Sequence, residues 1–122
     1  MNRVVHFEIA AKDPAALAKF YTDTFEWKIV KWPAPTEYWL AETGKEGSNG
    51  INGALMGANE AMGPVVNTIG VENLDAMIEK VKANGGTIKS PKMAIPTVGW
   101  FAYAADPEGT PFGMMQPDAD AK

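Results

Sequence analysis

The order of strand-like and helix-like segments is repeated along this chain, and the repeat limits the possible folds more than any other feature. Each half reads as one strand, one helix and three further strands. Laying His6 over Val66 superimposes the halves at an offset of roughly 60 residues, a period typical of a duplicated supersecondary unit. The match rests on order and spacing, because side-chain identity between the halves is poor. The sequence therefore predicts two βαβββ modules.

The first module is predicted at residues 1–57. Residues 3–10 alternate with the period of a half-buried strand. In KDPAALAKFYTDTFEW, Asp13 can cap a helix and Pro14 suits its first turn. The segments WKIVKW, TEYWLAET and GINGALM have the composition of short strands and complete the module.

The second module is predicted at residues 65–117, after a Gly- and Ala-rich linker at residues 58–64. PVVNTIGV is strand-like, and NLDAMIEKVKANGG is a helix with Asn73 as its cap and Gly85 as its stop. The remaining strands are predicted in TIKS, VGWFAYAA and PFGMMQ. Residues 118–122 read as a polar tail that we expect to be frayed.

These elements predict an α+β fold. One helix covers one sheet face in each module, which leaves the other face free to curl around a shared cavity. We expect tandem βαβββ modules forming a curved, cleft-containing mixed sheet with the helices on its outer face. A chain of 122 residues with 46% hydrophobic residues can bury one core, so residues 1–118 are predicted to form a single domain.

Charge and composition exclude several partners and sites. The net charge is −4 and no run of five like charges occurs, so the basic stripe that nucleic acids require is missing. Cysteine is absent, which excludes disulfides, thiolate metal sites and cysteine nucleophiles. The start, MNRVVHFEIAAKD, lacks a long apolar core and predicts neither a signal peptide nor a membrane span. We expect a cytoplasmic protein.

His6 and Glu8 are the candidate catalytic residues. They lie two positions apart in a predicted strand and so project from the same face, and His6 is the only histidine in the chain. One interpretation is that both line a wet cleft and hydrogen-bond locally. In another, Glu8 is partly desolvated, has a raised pKa and acts as a base or ligand anchor that His6 tunes. In a third, His6 binds a metal ion.

Six further residues are candidate ligand contacts. Alternation along their strands requires some aromatic side chains to face away from the helix layer, where they could wall a cavity. Amides inside apolar strands need partners when buried, and a lysine in the proline-bounded loop SPKMAIPTVGW could bring an ammonium to an anionic ligand. Core packing, strand networks and solvation are the structural alternatives. The candidates are Trp39, Asn52, Asn67, Lys92, Trp100 and Tyr103.

Nearly the whole chain resembles the vicinal oxygen chelate superfamily, which contains glyoxalase I, extradiol dioxygenases, methylmalonyl-CoA epimerase and the bleomycin and fosfomycin resistance proteins. The resemblance is carried by D-P-x(5)-F-Y, by a helix closing in GG and by D-P-E-G before the last strand. It is strongest to an uncharacterised glyoxalase-like branch, with H-F-E-I, P-K-M-A-I-P and V-G-W-F-A-Y. Glu26 departs from the pattern, because F-G-W is usual there.

For metal-using members, the resemblance implies four ligands from the first and last strand of each module. His6 matches the first, and the second falls in GINGALM, where Asn52 offers at best an amide oxygen. The third and fourth fall at Val66 and Gly113, which have no donor side chain. A chain with one histidine and no cysteine also cannot assemble a two-His, one-carboxylate iron site. We expect no cofactor, while a hard divalent ion on Glu8, needing about six oxygens, stays open.

We predict a glyoxalase- or bleomycin-resistance-like protein that binds a small aromatic or apolar molecule in a cleft without a transition metal. We expect it to form a homodimer. One alternative is a metal-free acid/base enzyme that uses Glu8 and His6. Another is a metal-dependent lyase, isomerase or dioxygenase of the same superfamily, with His6 as a ligand, and a third is a role in assembly.

Overall fold

The computed structural model of the chain describes residues 1–33, 36–58 and 62–122. Part of the PAP segment and residues 59–61 of the predicted linker therefore lie outside the described residues. The described elements, in chain order, are β1 (Arg3–Ala11), α1 (Pro14–Phe25), β2 (Lys28–Lys31), β3 (Tyr38–Glu42), β4 (Gly53–Gly57), β5 (Val65–Gly70), α2 (Leu74–Ala83), β6 (Thr87–Ile88), β7 (Met93–Ile95), β8 (Gly99–Ala105) and β9 (Pro111–Pro117).

The chain divides into two compact units. The N-terminal unit is His6–Val66, and the C-terminal unit combines Met1–Val5 with Asn67–Lys122. The strand order is β2-β3-β4-β1 in the first and β5-β9-β8-β6 in the second, where β7 also pairs with β8. Each sheet is mixed, because β1 and β4 are parallel, β5 and β9 are parallel, and the other pairs are antiparallel. The predicted α+β class and the tandem modules are confirmed.

Both helices begin with the caps that the sequence predicts. In α1, Asp13 Oδ1 accepts a hydrogen bond from the Ala16 amide at 3.2 Å. In α2, Asn73 Oδ1 accepts one from the Ala76 amide at 3.0 Å. These contacts satisfy amides that have no partner inside the first turn.

One apolar layer in each unit lies between helix and sheet. In the N-terminal unit, α1 contacts β4 and β2. The Tyr21 and Trp27 rings stack at 4.6 Å, and Phe7 packs against Trp27. In the C-terminal unit, α2 contacts β6, β8 and β9. Its buried core is Val71, Leu74, Ala102, Ala104 and Met114.

Two local expectations were wrong. Met93–Ile95, inside the segment interpreted as a stiff loop, pairs with β8 as β7. Prolines at positions 91 and 96 flank this strand, and its three residues are too few to show a period. The tail is also not frayed, because Ala121 is 2% exposed and its carbonyl accepts a hydrogen bond from the Thr97 amide at 3.0 Å. Within the described ranges, no helix has the length and apolar character needed to cross a bilayer.

Candidate functional site

The candidate site lies on one face of the N-terminal sheet. Strand alternation and register place a set of side chains together on that face, with Glu8 opposite Ala54 and Ala54 opposite Leu40. The other face carries Phe7, which packs against Gly53 and Trp27 beside α1. We call the first surface the site face. Its members are His6, Glu8, Ala10, Tyr38, Leu40, Ala54 and Met56.

His6 and Tyr38 form a hydrogen-bonded pair on the site face. His6 Nε2 lies 2.8 Å from Tyr38 Oη, and the two rings are nearly parallel, with an interplanar angle of 16°. β1 supplies the histidine, and β3 supplies the tyrosine. The hydrogen bond therefore fixes the orientation of the imidazole across the sheet.

The pKa of His6 is lowered from its ordinary value of 6.5. Burial of the ring is the larger cause, and the nearby Glu8 carboxylate opposes it by favouring the charged imidazolium. The imidazole is therefore predominantly neutral at pH 7. In the tautomer whose Nε2–H donates to the Tyr38 hydroxyl, the Nδ1 lone pair can accept a proton from a bound molecule.

Glu8 is buried, with 4% of its surface exposed. Its register partner, Ala54, is fully buried and places a methyl group beside the carboxylate side chain. Next to them in register, Ala10 faces Met56. The site face thus combines a carboxylate, an imidazole and a phenol with small or flexible apolar side chains.

The two candidate tryptophans do not lie on the site face. Trp39 alternates with Tyr38 and is in register with the buried Leu55, which places it on the α1 side of the N-terminal sheet. Trp100 packs against the apolar core beneath α2 in the C-terminal unit. Each indole N–H donates to a carboxylate at 3.0 Å, on Glu37 and Asp118 respectively.

The two candidate asparagines have local surroundings. Asn52 precedes β4, and its Oδ1 accepts a hydrogen bond from the Thr43 amide at 2.9 Å, which closes the intervening loop. Asn67 is exposed on β5 and is in register with Phe112. Neither amide is on the site face.

Lys92 and Tyr103 belong to the C-terminal unit. Lys92 Nζ lies 3.1 Å from Asp75 Oδ2 and 4.9 Å from the centroid of the Trp100 ring. The Lys92 ammonium therefore forms an ion pair with the first turn of α2. Tyr103 stands on the face of β8 opposite to Trp100 and meets Phe101 edge to face at 4.6 Å.

Sequence reasoning missed the role of Tyr38, which it treated only as an aromatic neighbour of Trp39. The signal was present in the alternation of β3, because Tyr38 and Trp39 must face opposite sides. What the sequence alone did not supply is the register of β3 on β4. That register places Tyr38 level with Met56 and Ala10, so the tyrosine side chain reaches diagonally along the face to meet His6.

An open apolar groove also exists between the end of β1 and α1. Its volume is about 490 Å³. The groove is lined by Ala10, Ala11, Lys12, Asp13, Ala16, Leu17 and Phe20. Ala10 is the one lining residue that belongs to the site face, and the groove otherwise lies on the side of α1.

The residues of the site do not fit a transition-metal centre. His6 Nε2 is already hydrogen-bonded to Tyr38 Oη. Across the described part of the chain, no three or more His, Cys, Asp or Glu side chains are grouped closely enough to hold a metal ion. First-row transition ions require several such ligands.

Known proteins share both the sequence pattern and the fold. Residues 3–114 match the family model described as Glyoxalase/Bleomycin resistance protein/Dioxygenase superfamily. The chain belongs to this superfamily. Its sequence is 33% identical over 113 residues to "Putative glyoxylase CFP32" of Mycobacterium bovis and to the protein of the same name from Mycobacterium tuberculosis. That alignment covers 89% of this chain but 43% of each relative, so the chain spans less than half of their length.

Solved structures of other proteins share this fold. Methylmalonyl-CoA epimerase of Streptomyces coelicolor, in complex with 2-nitronate-propionyl-CoA, matches with a TM-score of 0.75 and 15% identity over 100% of this chain and 99% of that chain. The epimerase of Mycobacterium tuberculosis matches with a TM-score of 0.71 and 16% identity over 94% and 87%. At this identity the likeness establishes the fold alone.

Proposed function

We propose that this superfamily member binds a small, largely apolar or aromatic molecule on the site face without a transition metal. The observation that carries the proposal is the buried Glu8 carboxylate beside the His6–Tyr38 pair. Small-molecule sites are mostly apolar, with a few polar groups that fix the orientation of the ligand. The site face has this composition.

Apolar side chains on the site face would supply the contact area. Leu40 is 38% exposed, although it belongs to a strand, and Met56 is partly exposed at the far end of β4. The flexible methionine side chain adapts to ligands of different shape. Covering these side chains with a ligand would remove apolar surface from water, which favours binding.

Metal-free proton transfer is a second candidate function. It is favoured by the lowered pKa of His6, because a neutral imidazole is available as a base at pH 7. Tyr38 would hold the ring in place, and Glu8 would stabilise the imidazolium that forms. The metal-dependent alternative has one side-chain ligand among the four family positions, His6.

Acyl-CoA thioesters are one candidate class of ligand. Solved relatives of this fold are in complex with CoA thioesters such as methylmalonyl-CoA. The groove between the end of β1 and α1 has room to accept part of a larger molecule. Acyl-CoA thioesters therefore belong in a binding screen beside flat aromatic compounds and small acids.

We also propose that the protein assembles as a homodimer. The support is an apolar strand at a sheet edge: β2 ends the strand order of the N-terminal unit, and Val30 on it is 58% exposed. An edge strand presents backbone groups that can pair with a second chain. Light scattering coupled to size exclusion tests this directly, and a monomer at every concentration would contradict it.

The binding proposal is tested by a thermal-shift screen with these three compound classes. A ligand that binds the folded state raises the melting temperature as its concentration increases. The shift should disappear in Glu8→Gln and decrease in Tyr38→Phe, which releases His6. Glu46→Gln, a change of an exposed loop carboxylate, is the matched control and should retain the full shift.

Two results would contradict the proposal. Uniformly absent shifts across the panel would leave the site face without a ligand and favour the role in assembly. Stoichiometric zinc, nickel or iron in protein purified without added metal, lost in His6→Ala, would replace the metal-free site by a metal centre.

A further inference from the structure

Three asparagines in this chain are followed directly by glycine. The pairs are Asn49–Gly50, Asn52–Gly53 and Asn84–Gly85. Asparagine is among the thermolabile residues of proteins. The backbone nitrogen of the next residue can attack its side-chain carbonyl carbon, and glycine hinders this attack least because it has no Cβ. The structure therefore decides which of the three pairs is free to react.

The Asn52–Gly53 pair is held on both sides of the reacting groups. The asparagine Oδ1 accepts hydrogen bonds from the Thr43 amide at 2.9 Å and from the Thr43 hydroxyl at 3.4 Å. The glycine is buried in β4, in register with Phe7 on β1 and Ala41 on β3. The attack requires rotation of the asparagine side chain and backbone, which these contacts oppose. This pair has to open locally before it can react.

The Asn84–Gly85 pair ends α2 and is also bonded. The asparagine Nδ2 donates a hydrogen bond to the Lys80 carbonyl at 2.8 Å. The glycine amide, which is the attacking group, donates to the Lys82 carbonyl at 3.2 Å. Each hydrogen bond that must open lowers the reactive population about fivefold. This pair is therefore protected as well.

The Asn49–Gly50 pair lies in the loop between β3 and β4. Both residues are exposed and belong to no helix or strand. The loop is bonded before the pair, where the Ser48 amide donates to the Lys45 carbonyl at 3.1 Å, and after it, where the Ile51 carbonyl accepts from the Thr43 hydroxyl at 2.6 Å. Apart from its chain neighbours, no atom lies within 4 Å of a Cβ placed on the glycine. The attack can proceed without breaking either bond.

We propose that Asn49 is a site of spontaneous covalent modification. The Gly50 nitrogen loses its proton and bonds to the side-chain carbonyl carbon of Asn49, and the side-chain nitrogen leaves as ammonia. Water then adds to one carbonyl carbon of the cyclic imide and opens it, which yields aspartate or isoaspartate. One water is consumed and one ammonia is released, with no oxidation or reduction. The reaction needs no ligand and so goes beyond the proposed function.

The modification changes the charge and the backbone of one loop. It adds one negative charge to a chain whose formal net charge is −4. Isoaspartate also lengthens the backbone by one carbon atom. The bonds of Thr43 to Ile51 and Asn52 close the loop below this point, so the lengthening is confined to its tip. We expect the modified chain to keep the melting temperature of the unmodified one.

The test follows the folded full chain at pH 8 and 37 °C by peptide mapping with mass spectrometry, which detects the replacement of NH by O. Asn49 should react at least about fivefold faster than Asn52 and Asn84, because their pairs must first break hydrogen bonds. The Asn49 product should include isoaspartate, detected by an isoaspartyl methyltransferase used as a reagent. The rate should increase with pH, because the attacking amide must lose its proton.

Two controls separate the effect of the fold from that of the dipeptide. In concentrated urea the contacts are lost, so the three asparagines should react at similar rates. Asn49→Gln should remove the acidic charge variant that ion exchange resolves from the wild type, because glutamine must close a larger ring and does so more slowly.

Three results would overturn the proposal. The first is a rate at Asn52 or Asn84 in the folded chain that equals or exceeds the rate at Asn49. The second is an Asn49 that reacts in urea but not in the folded chain, because the loop would then hold the pair as firmly as a strand does. The third is aspartate without isoaspartate, which would indicate direct hydrolysis and no imide.

Discussion

The two units of this protein share a chain order but differ in what their sheets present. In both units the first strand pairs in parallel with the last, β1 with β4 and β5 with β9. At the matched first-strand positions, the N-terminal unit carries His6 and Glu8, and the C-terminal unit carries Val66 and Thr68. The duplication has kept the backbone arrangement, whereas titratable groups at these positions are found in one copy only.

Some side-chain arrangements are kept in both copies. Trp39 and Trp100 each donate an indole hydrogen bond to a nearby carboxylate, and each lies under a lysine, Lys31 or Lys92. The two units thus repeat a packing feature while their sheet faces diverge. The tryptophan contacts shared by both units support the fold, whereas the polar groups found in one unit only are available for function.

The largest expected difference in stability concerns a glycine in the last strand of each unit, Gly53 on β4 and Gly113 on β9. A Cβ on Gly53 would lie 2.5 Å from the Phe7 ring and 2.5 Å from the Phe7 carbonyl oxygen, which belongs to the backbone and cannot rotate away. A Cβ on Gly113 would meet only side-chain atoms of Phe101 and Thr68 among its nearest neighbours. We expect Gly53→Ala to destabilise by about 3 kcal/mol and Gly113→Ala by about 1 kcal/mol.

Urea unfolding of both variants measures these free energies. Gly63→Ala is a control for the added methyl group, because its Cβ would meet no atom within 4 Å, although its positive φ of 75° adds a small strain of its own. If Gly113→Ala costs as much as Gly53→Ala, the Phe101 ring is as fixed as a backbone atom and the two sheets are equally rigid.

The second expected difference is in how pH affects stability, because only the first of the two matched faces carries a histidine. The pKa of His6 is lowered in the folded state, so below about pH 6.5 the unfolded chain binds a proton that the folded chain does not. The free energy of unfolding should therefore fall as pH drops below 6.5 and level off below the folded pKa. The slope is at most about 1.4 kcal/mol per pH unit for one proton.

His6→Gln removes this titration, so the difference between wild type and variant isolates it from the carboxylates. Urea unfolding between pH 5 and pH 8 provides the curve. A difference that is constant over this range would mean that the imidazole ionises equally in both states, and the argument for a neutral base on the site face would fail.

The sequence predicted the helices and most strands better than the register between the strands. Both helix caps, Asp13 and Asn73, and the order of the two modules followed from local patterns, because capping and alternation depend on neighbouring residues. Register depends on contacts between distant strands, so the His6–Tyr38 bond and the placement of Trp39 opposite to it were not predicted. Met93–Ile95 was missed because three residues carry too little pattern.

The third prediction compares the ends of the two helices. Glu26 takes the left-handed conformation after α1, with φ 61°, whereas glycine, at position 85, takes it after α2 with φ 94°. Glycine adopts this conformation without strain. Glu26→Gly should therefore stabilise by about 0.5–1 kcal/mol, and Gly85→Ala should destabilise by about 1 kcal/mol.

Thermal and urea unfolding of the two single variants and of the double variant measure both effects, which should add because the ends belong to different units. A Cβ on Gly85 would come no closer than 3.6 Å to its neighbours, so its cost would be conformational and not steric. A loss of stability in Glu26→Gly would show that the glutamate side chain contributes contacts that outweigh its strained backbone.

The smallest expected effect concerns the two lysines that lie over tryptophans. Lys92 Nζ is 4.9 Å from its ring centroid and pairs with Asp75, while Lys31 Nζ is 6.0 Å from its ring and 3.6 Å from Glu37. The Lys92 side chain is 33% exposed and that of Lys31 is 51% exposed, so water screens the second arrangement more. We expect Lys92→Met to cost about 0.5–1 kcal/mol and Lys31→Met less than about 0.5 kcal/mol.

Methionine keeps an apolar side chain of similar length, so each variant removes mainly the charge. In 1 M NaCl, where the Debye length is about 3 Å, the ion-pair part of both costs should shrink. The cost of Lys92→Met should shrink less, since its ammonium rests closer to the Trp100 ring and is less exposed. Equal costs for the two lysines, or equal salt dependence, would mean that exposure and distance do not distinguish these contacts and that the units differ only at their sheet faces.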